Sequence, residues 1–216
     1  MTALRRAAVI LSAIGTFLSG CSDEQHVAPS VPSAASTSRM PASDMTMDQY
    51  LQNHGVTVQA QTATDDSPLR IGLQQPPGWF AYDRLQVPNT YTVLTDRRAI
   101  DQNFVPNAVV VVHKLNGSFD PRSAILRGFV DTERYKDFKK TRSSLDDFDG
   151  FPSAVIEGSY SDDKDRALHV LNRYVLAGSG DRAFAVLLTV TTTEDQAGKL
   201  ADDLKTLDQG LKITLK

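Results

Sequence analysis

Apolar positions change their spacing several times along the chain, and each change predicts an element. Ala7 to Leu18 is an uncharged, mainly apolar run of twelve residues. Ser22 to Met45 follows no period and is rich in Ser, Thr, Pro and Ala. At Thr46 the spacing becomes helical: Met47, Tyr50 and Leu51 share a face, Thr46 and Gln49 have capping-box spacing, and Gly55 is a natural stop. Leu69 to Leu73 alternates as a strand does, and Pro76-Pro77-Gly78 ends it. Tyr91 to Thr95 reads as a second strand. Ala108 to Leu115 reads as a third, whose continuous Val109–Val112 run predicts burial on both faces.

Asp120-Pro121 places an N-cap before a proline at the first helical position. Ala124, Ile125, Gly128 and Phe129 then share one face of a helix running to Tyr135. From Phe138 onward the spacing predicts a meander. Its strands are Phe138–Leu145, Pro152–Tyr160, Ala167–Leu176 and Arg182–Thr191, joined by short turns that include Asp149-Gly150 and Gly178–Asp181. A second capping box, Thr193 to Gln196, opens a helix whose Leu200, Leu204, Leu207 and Leu211 form one stripe. Together these elements predict a mostly antiparallel sheet of six or seven strands with three helices. Several strands are apolar on both faces, so helices must cover both sides. The expected fold class is an α/β/α sandwich of the α+β type.

The N-terminal pattern changes this picture by assigning an address. Arg5 and Arg6 precede the apolar run, and Leu18-Ser19-Gly20-Cys21 closes it. A basic end, a short apolar core and small residues before a cut describe a signal peptide. A run this short falls below the roughly 20 residues a helix needs to cross a bilayer. The cysteine turns the cleavage site into a lipobox, with Cys21 as the lipidated residue; a plain signal peptide with a chance cysteine is the other reading. Cys21 is the single cysteine of the chain, so the fold cannot draw on internal disulfides. The expected organisation is a signal peptide at 1–20, a lipidated tether at 21–45, and one domain at 46–216. Low apolar content keeps the tether from forming a core. Two or more acyl chains anchor a protein stably where one does not. The expected location is the extracytoplasmic face of the cell membrane, with shed or secreted copies as a second destination.

Removing residues 1–20 leaves 21 basic against 26 acidic residues, a charge of −5 with histidine neutral. Such a surface disfavours nucleic acid as a partner and gives anionic lipid no basic patch. The membrane partner is therefore expected to be reached through Cys21.

Several short strings in order carry a family resemblance. They are Asp48-Gln49-Tyr50-Leu51 leading to Asn53-His54-Gly55-Val56, then Pro76-Pro77-Gly78-Trp79, Asn116-Gly117 before Asp120-Pro121, and Gly150-Phe151 before Gly158-Ser159-Tyr160. In this the chain resembles the mycobacterial LpqN/LpqT-type lipoproteins. The resemblance implies a Mog1/PsbP-like sandwich and a non-catalytic envelope lipoprotein concerned with lipid transport or host contact. It carries no catalytic residues to transfer.

The residues themselves show no enzyme signature. G-x-S-x-G, G-x-G-x-x-G and Walker sequences are absent, and His26, His54, His113 and His169 have no metal-ligand spacing. No catalytic residue, cofactor or metal is expected. Asp147 to Gly150 imitates part of an EF-hand loop, but Leu145 and Ile156 stand where two oxygen ligands are needed. Asp162, Asp163 and Asp165 read as a solvated hairpin tip or, alternatively, a weak surface Ca²⁺ site. Trp79, Phe80 and Tyr82 crowd behind Pro76-Pro77-Gly78, with Tyr91 nearby, and Phe104 and Phe129 are candidates to join them. These six read either as core or as the aromatic wall of a ligand pocket. The long polar loop from Arg97 to Asn107 favours a binding role. The expected function is to hold an apolar or glycolipid ligand. The alternative is a protein-interaction module contacting an envelope transporter or a host protein.

Replacing Cys21 with serine should remove labelling by palmitate and move the protein from the membrane fraction to the soluble fraction. An unchanged distribution in cell fractionation would exclude Cys21 as the anchor.

Overall fold

Strand β5 (Asn107–Asn116) is the strip on which the sheet is built, and it is buried at every position from Asn107 to Val112. The computed structural model describes residues 44–64, 67–82, 88–99 and 103–216. The expected signal peptide, Cys21 and nearly all of the expected tether lie outside them. One edge of β5 pairs with β9 (Ala183–Thr193). The other edge is shared: β4 (Thr92–Asp96) pairs with its first half and β1 (Thr57–Gln61) with its second. Beyond β9 the meander runs as expected through β8 (Ala167–Ala177), β7 (Ser153–Ser161) and β6 (Lys139–Ser144). The short β3 (Trp79–Ala81) flanks β4. Every pairing is antiparallel.

Period-two alternation sends side chains to two apolar faces. On one face lie Val110, Val112, Leu171, Val175, Phe184 and Leu188. Helix α5 (Ala201–Gln209) covers them with Leu204 and Leu207, beside a separate pair of strands, β2 (Leu69–Leu73) and β10 (Leu211–Leu215). On the other face, Leu115, Ala154, Ile156, Tyr174 and Leu176 meet α1 (Met47–Asn53), α2 (Pro121–Ile125) and α3 (Arg127–Glu133). The class is the expected α/β/α sandwich.

Four details differ from the sequence reading. Among the described residues the main sheet has eight strands and a further two form their own sheet, against six or seven expected. The unexpected strands are β1, whose sequence TVQAQ is largely polar, three-residue β3, and β10. Leu211 belongs to β10 and not to the last helix, because the chain turns at Gly210, where a Cβ would stand 2.4 Å from Gln74 Cβ. Leu211 still enters the same core, so its spacing reported burial and not helix. The second capping box forms, but α4 (Glu194–Ala197) ends before α5 begins. The helix after Asp120 is likewise two pieces, broken at Leu126.

A buried ion pair fastens α5 to the sheet. Arg173 on β8 donates to Asp208 through Nε at 2.5 Å and Nη2 at 2.9 Å, and through Nη1 to Ser153 at 3.1 Å. Its guanidinium also lies 4.5 Å from the Phe148 ring centre. Asp208 is 3% exposed, so removing its carboxylate strands a cation with little water to replace it. Asp208→Ala should therefore destabilise the fold by about 3–5 kcal/mol in urea unfolding, while Arg173→Leu with Asp208→Leu should recover most of the loss.

Candidate functional site

The two covers are unequal in length, and a cleft results. A seven-residue helix such as α1 or α3 is about 10 Å long, whereas an eleven-residue strand such as β8 or β9 spans roughly 35 Å. On β9 the consequence is visible residue by residue. Phe184, Val186 and Leu188, toward α5, are buried, whereas Ala185 and Leu187, toward α1 and α3, are half-buried. The space above them is a cavity of about 560 Å³. Val58, Val111, Ala185 and Leu187 form its floor, and Met47 and Leu51 its wall. This volume lies within the range of small-ligand pockets.

The polar side chains around this apolar surface are Thr46, Asp48, His113, Asp131, Arg134, Tyr135 and Tyr174. The Thr46–Gln49 capping box forms and sets the start of α1. Met47 N–H then approaches Asp131 Oδ2 at 3.4 Å, and Arg134 donates to the Asp44 carbonyl at 2.5 Å. The polypeptide thus enters the domain beside the cleft. Gly128 lets α3 sit closely on the sheet, since a Cβ there would stand 2.7 Å from the Tyr174 ring. Burial pushes the Asp131 carboxyl up to about 6, against the Met47 amide and Arg134, which favour its charged form. Burial also holds the His113 imidazole below its ordinary range, with Asp48 opposing. The cleft therefore presents a neutral imidazole and a carboxyl close to titration.

None of the six aromatics singled out from the sequence lines this cleft. Strand alternation puts Trp79 and Phe80 on opposite faces of β3. Trp79 is 5% exposed in the core under α5, and its Nε1 donates to Asp203 at 3.0 Å. Arg98 bridges the same Asp203 to Asp96, so the start of the Arg97–Asn107 loop is clamped to α5. Phe80 and Tyr82 meet edge to face at 6.1 Å, with Arg97 4.1 Å from the Phe80 ring centre. Tyr91 packs on the α5 side and donates to the Leu69 carbonyl at 3.3 Å. Phe104 joins Tyr160, Leu168 and Val170. Phe129 packs against the cluster of Met47 and Ile125. The six are spread over several clusters and form no common wall.

Three of the acidic candidates, Asp147, Asp162 and Asp165, are engaged by cations, Asp165 by Lys136. Asp162, 3% exposed, accepts from the Lys164 and Arg166 amides and from Arg166 Nε. Asp147 receives both Nη groups of Arg122 at 2.6 and 2.8 Å. The residues that do line the cleft escaped sequence reasoning because no motif marks them. The available signal was the series Gly128, Asp131, Thr132 and Tyr135, polar or small residues at helical spacing on a face that also packs.

Asp131 yields a pH prediction. Its folded-state pKa lies above the ordinary 3.8, so the folded state binds the proton more tightly. The contribution of Asp131 to stability should be fully present below 3.8, be lost as pH rises from there through about 6, and then level off. Asp131→Asn should flatten this segment and stabilise the protein by about 2–3 kcal/mol above it, read from urea unfolding across pH.

Residues 43–214 match the family described as "Probable lipoprotein LpqN". The chain is 37% identical over 157 residues to the "Proline-rich 28 kDa antigen" of Mycobacterium tuberculosis (strain ATCC 25618 / H37Rv), covering 73% of this chain. It spans only half of that antigen, 50% of its length. It is 30% identical over 197 residues to the "Putative lipoprotein LpqT" of the same strain, covering 90% of this chain and 84% of that one. The fold is similar to the crystal structure of LpqN, titled as involved in cell envelope biogenesis of Mycobacterium tuberculosis. The TM-score is 0.70 at 21% identity, over 78% of this chain and 97% of that one. Among the described residues no helix is long and apolar enough to cross a membrane.

Proposed function

The chain belongs to the LpqN family of lipoproteins, and on that premise we propose that it is a membrane-anchored, non-enzymatic envelope protein that holds the apolar chain of a lipid or glycolipid in the cleft between α1, α3 and the sheet. The observation that carries the reading is the half-buried apolar floor of Val58, Ala185 and Leu187 beneath a cavity of about 560 Å³. A folded domain gains no stability by leaving such a surface incompletely covered, as it is among the described residues. An acyl chain entering the cleft would be stabilised by roughly 25 cal/mol for each Å² of apolar surface removed from water. The polar groups around the cleft would meet the head of an amphiphile. The anchor on Cys21 and the entry of the chain beside the cleft would keep this binding surface near the membrane that supplies the ligand. Assistance to cell-envelope lipid transport is the role that combines these features.

Ala185 lies opposite His113 in the β5–β9 register, at the cleft floor. Ala185→Trp should fill the cleft with its own side chain. In native mass spectrometry after exposure to an envelope lipid extract, the unaltered protein is expected to retain lipid mass and Ala185→Trp to retain none, with melting temperature preserved. Equal retention by both would remove the cleft from the account.

A further inference from the structure

A buried polar seam crosses the sheet face beneath the cleft, where the neighbouring residues are apolar. Thr189 Oγ1 donates to Asn172 Oδ1 at 2.7 Å. The two amide protons of Asn172 go to Thr132 Oγ1 at 2.9 Å and to the Tyr135 hydroxyl oxygen at 3.3 Å. Thr132 in turn reaches the Gly128 carbonyl at 3.4 Å and the Tyr174 hydroxyl at 3.1 Å. A hydroxyl has one proton, so with Thr132 donating to Gly128, Tyr174 donates to Thr132. Asn172 and Thr132 are both 0% exposed.

The direction of the seam follows from counting protons. In the opposite amide orientation Asn172 Oδ1 would accept from both Thr132 and Tyr135, and Nδ2 would face Thr189 alone. One of its two amide protons would then be buried without an acceptor, a costly arrangement for a side chain that is 0% exposed. The orientation with both protons used is therefore the stable one, and it makes Tyr135 an acceptor. Among the described residues every proton of the seam then has a partner except that of Tyr135. Tyr135 also lines the cleft, and its ring is set by Tyr160, 4.9 Å between centres, and Phe138, 6.4 Å.

The geometry points to Tyr135 as the donor that reads the cleft's ligand, giving its hydroxyl proton to an acceptor oxygen beside the ligand's apolar chain, as in the carbonyl of an acyl ester. This rests on the cleft being a lipid site. A pure hydrocarbon leaves the Tyr135 proton unpartnered in an apolar space, whereas a carbonyl satisfies it. Asp48 and Asp131 line the same cleft and oppose an anionic carboxylate, and Arg134, the cation among the lining residues, bonds the Asp44 carbonyl. A neutral ester is thus the matching class. Asn172, Thr132 and Thr189 act through Tyr135 as positioning residues.

The test uses the mature chain carrying Cys21→Ser and two probes. N-phenyl-1-naphthylamine is apolar and has no acceptor oxygen; 1-monopalmitin has an ester carbonyl beside its chain. Tyr135→Phe should bind the dye within about twofold of the unaltered protein and bind monopalmitin about five- to tenfold more weakly, the loss of one hydrogen bond. Equal monopalmitin affinity in both overturns the assignment. If the unaltered protein takes up neither probe, the lipid-site reading fails and the assignment with it. A second readout needs no variant. With ¹³C at the ester carbonyl, its infrared stretch should move to lower wavenumber in the complex than in alkane, and a stretch at the alkane position overturns the assignment.

Discussion

A sheet that is apolar on both faces must be covered on both faces, and the rest of this structure follows from that constraint. Strand β5 sets it with consecutive valines buried on alternate sides. Neither side can face water without losing the apolar burial that drives folding. The chain meets the demand twice, with different materials. On one side a nine-residue helix is fastened by a buried ion pair, with a two-stranded sheet beside it. On the other, three short helices do the work. Because the second cover is shorter than the strands beneath it, part of that face stays open, and the opening is the cleft.

The same asymmetry links stability to function. Arg173 and Asp208 commit α5 to its face and spend that side of the sheet on the core. The opposite side keeps a polar seam, Thr189–Asn172–Thr132–Tyr135, in place of continuous apolar packing. Buried polar groups are retained only where their partners are supplied, and this seam supplies nearly all of them. Asp131 adds a destabilising element at the edge of the same cleft, since burial of its carboxyl costs the folded state above its pKa. Unsatisfied polarity collects at sites that act, which supports the proposal of a ligand site in the cleft.

Much of the fold was legible because local pattern and tertiary role agreed. The meander, the capping boxes at Thr46 and Thr193 and the doubly buried β5 each follow from spacing alone. β1 was not legible because TVQAQ pairs through its backbone with β5 and has few apolar side chains of its own. β10 was hidden because Leu211 extends a leucine series that the chain abandons at Gly210. The aromatic cluster misled for a related reason: closeness in sequence says nothing about face, and alternation separates Trp79 from Phe80. The cleft could not be read in advance, because it depends on the difference between helix length and strand length on one face. Once that difference is known, Asp131 on α3, Tyr135 just past its end and Leu187 on β9 become its lining without any motif.

The most direct measurement is methyl NMR of the mature chain carrying Cys21→Ser during titration with 1-monopalmitin. Binding in the cleft should shift the methyl signals of Val58, Val111 and Leu187 and leave those of Leu171, Leu188 and Leu207, on the α5 side, in place. Shifts centred on the α5 side, or no shifts at saturating ligand, would contradict it.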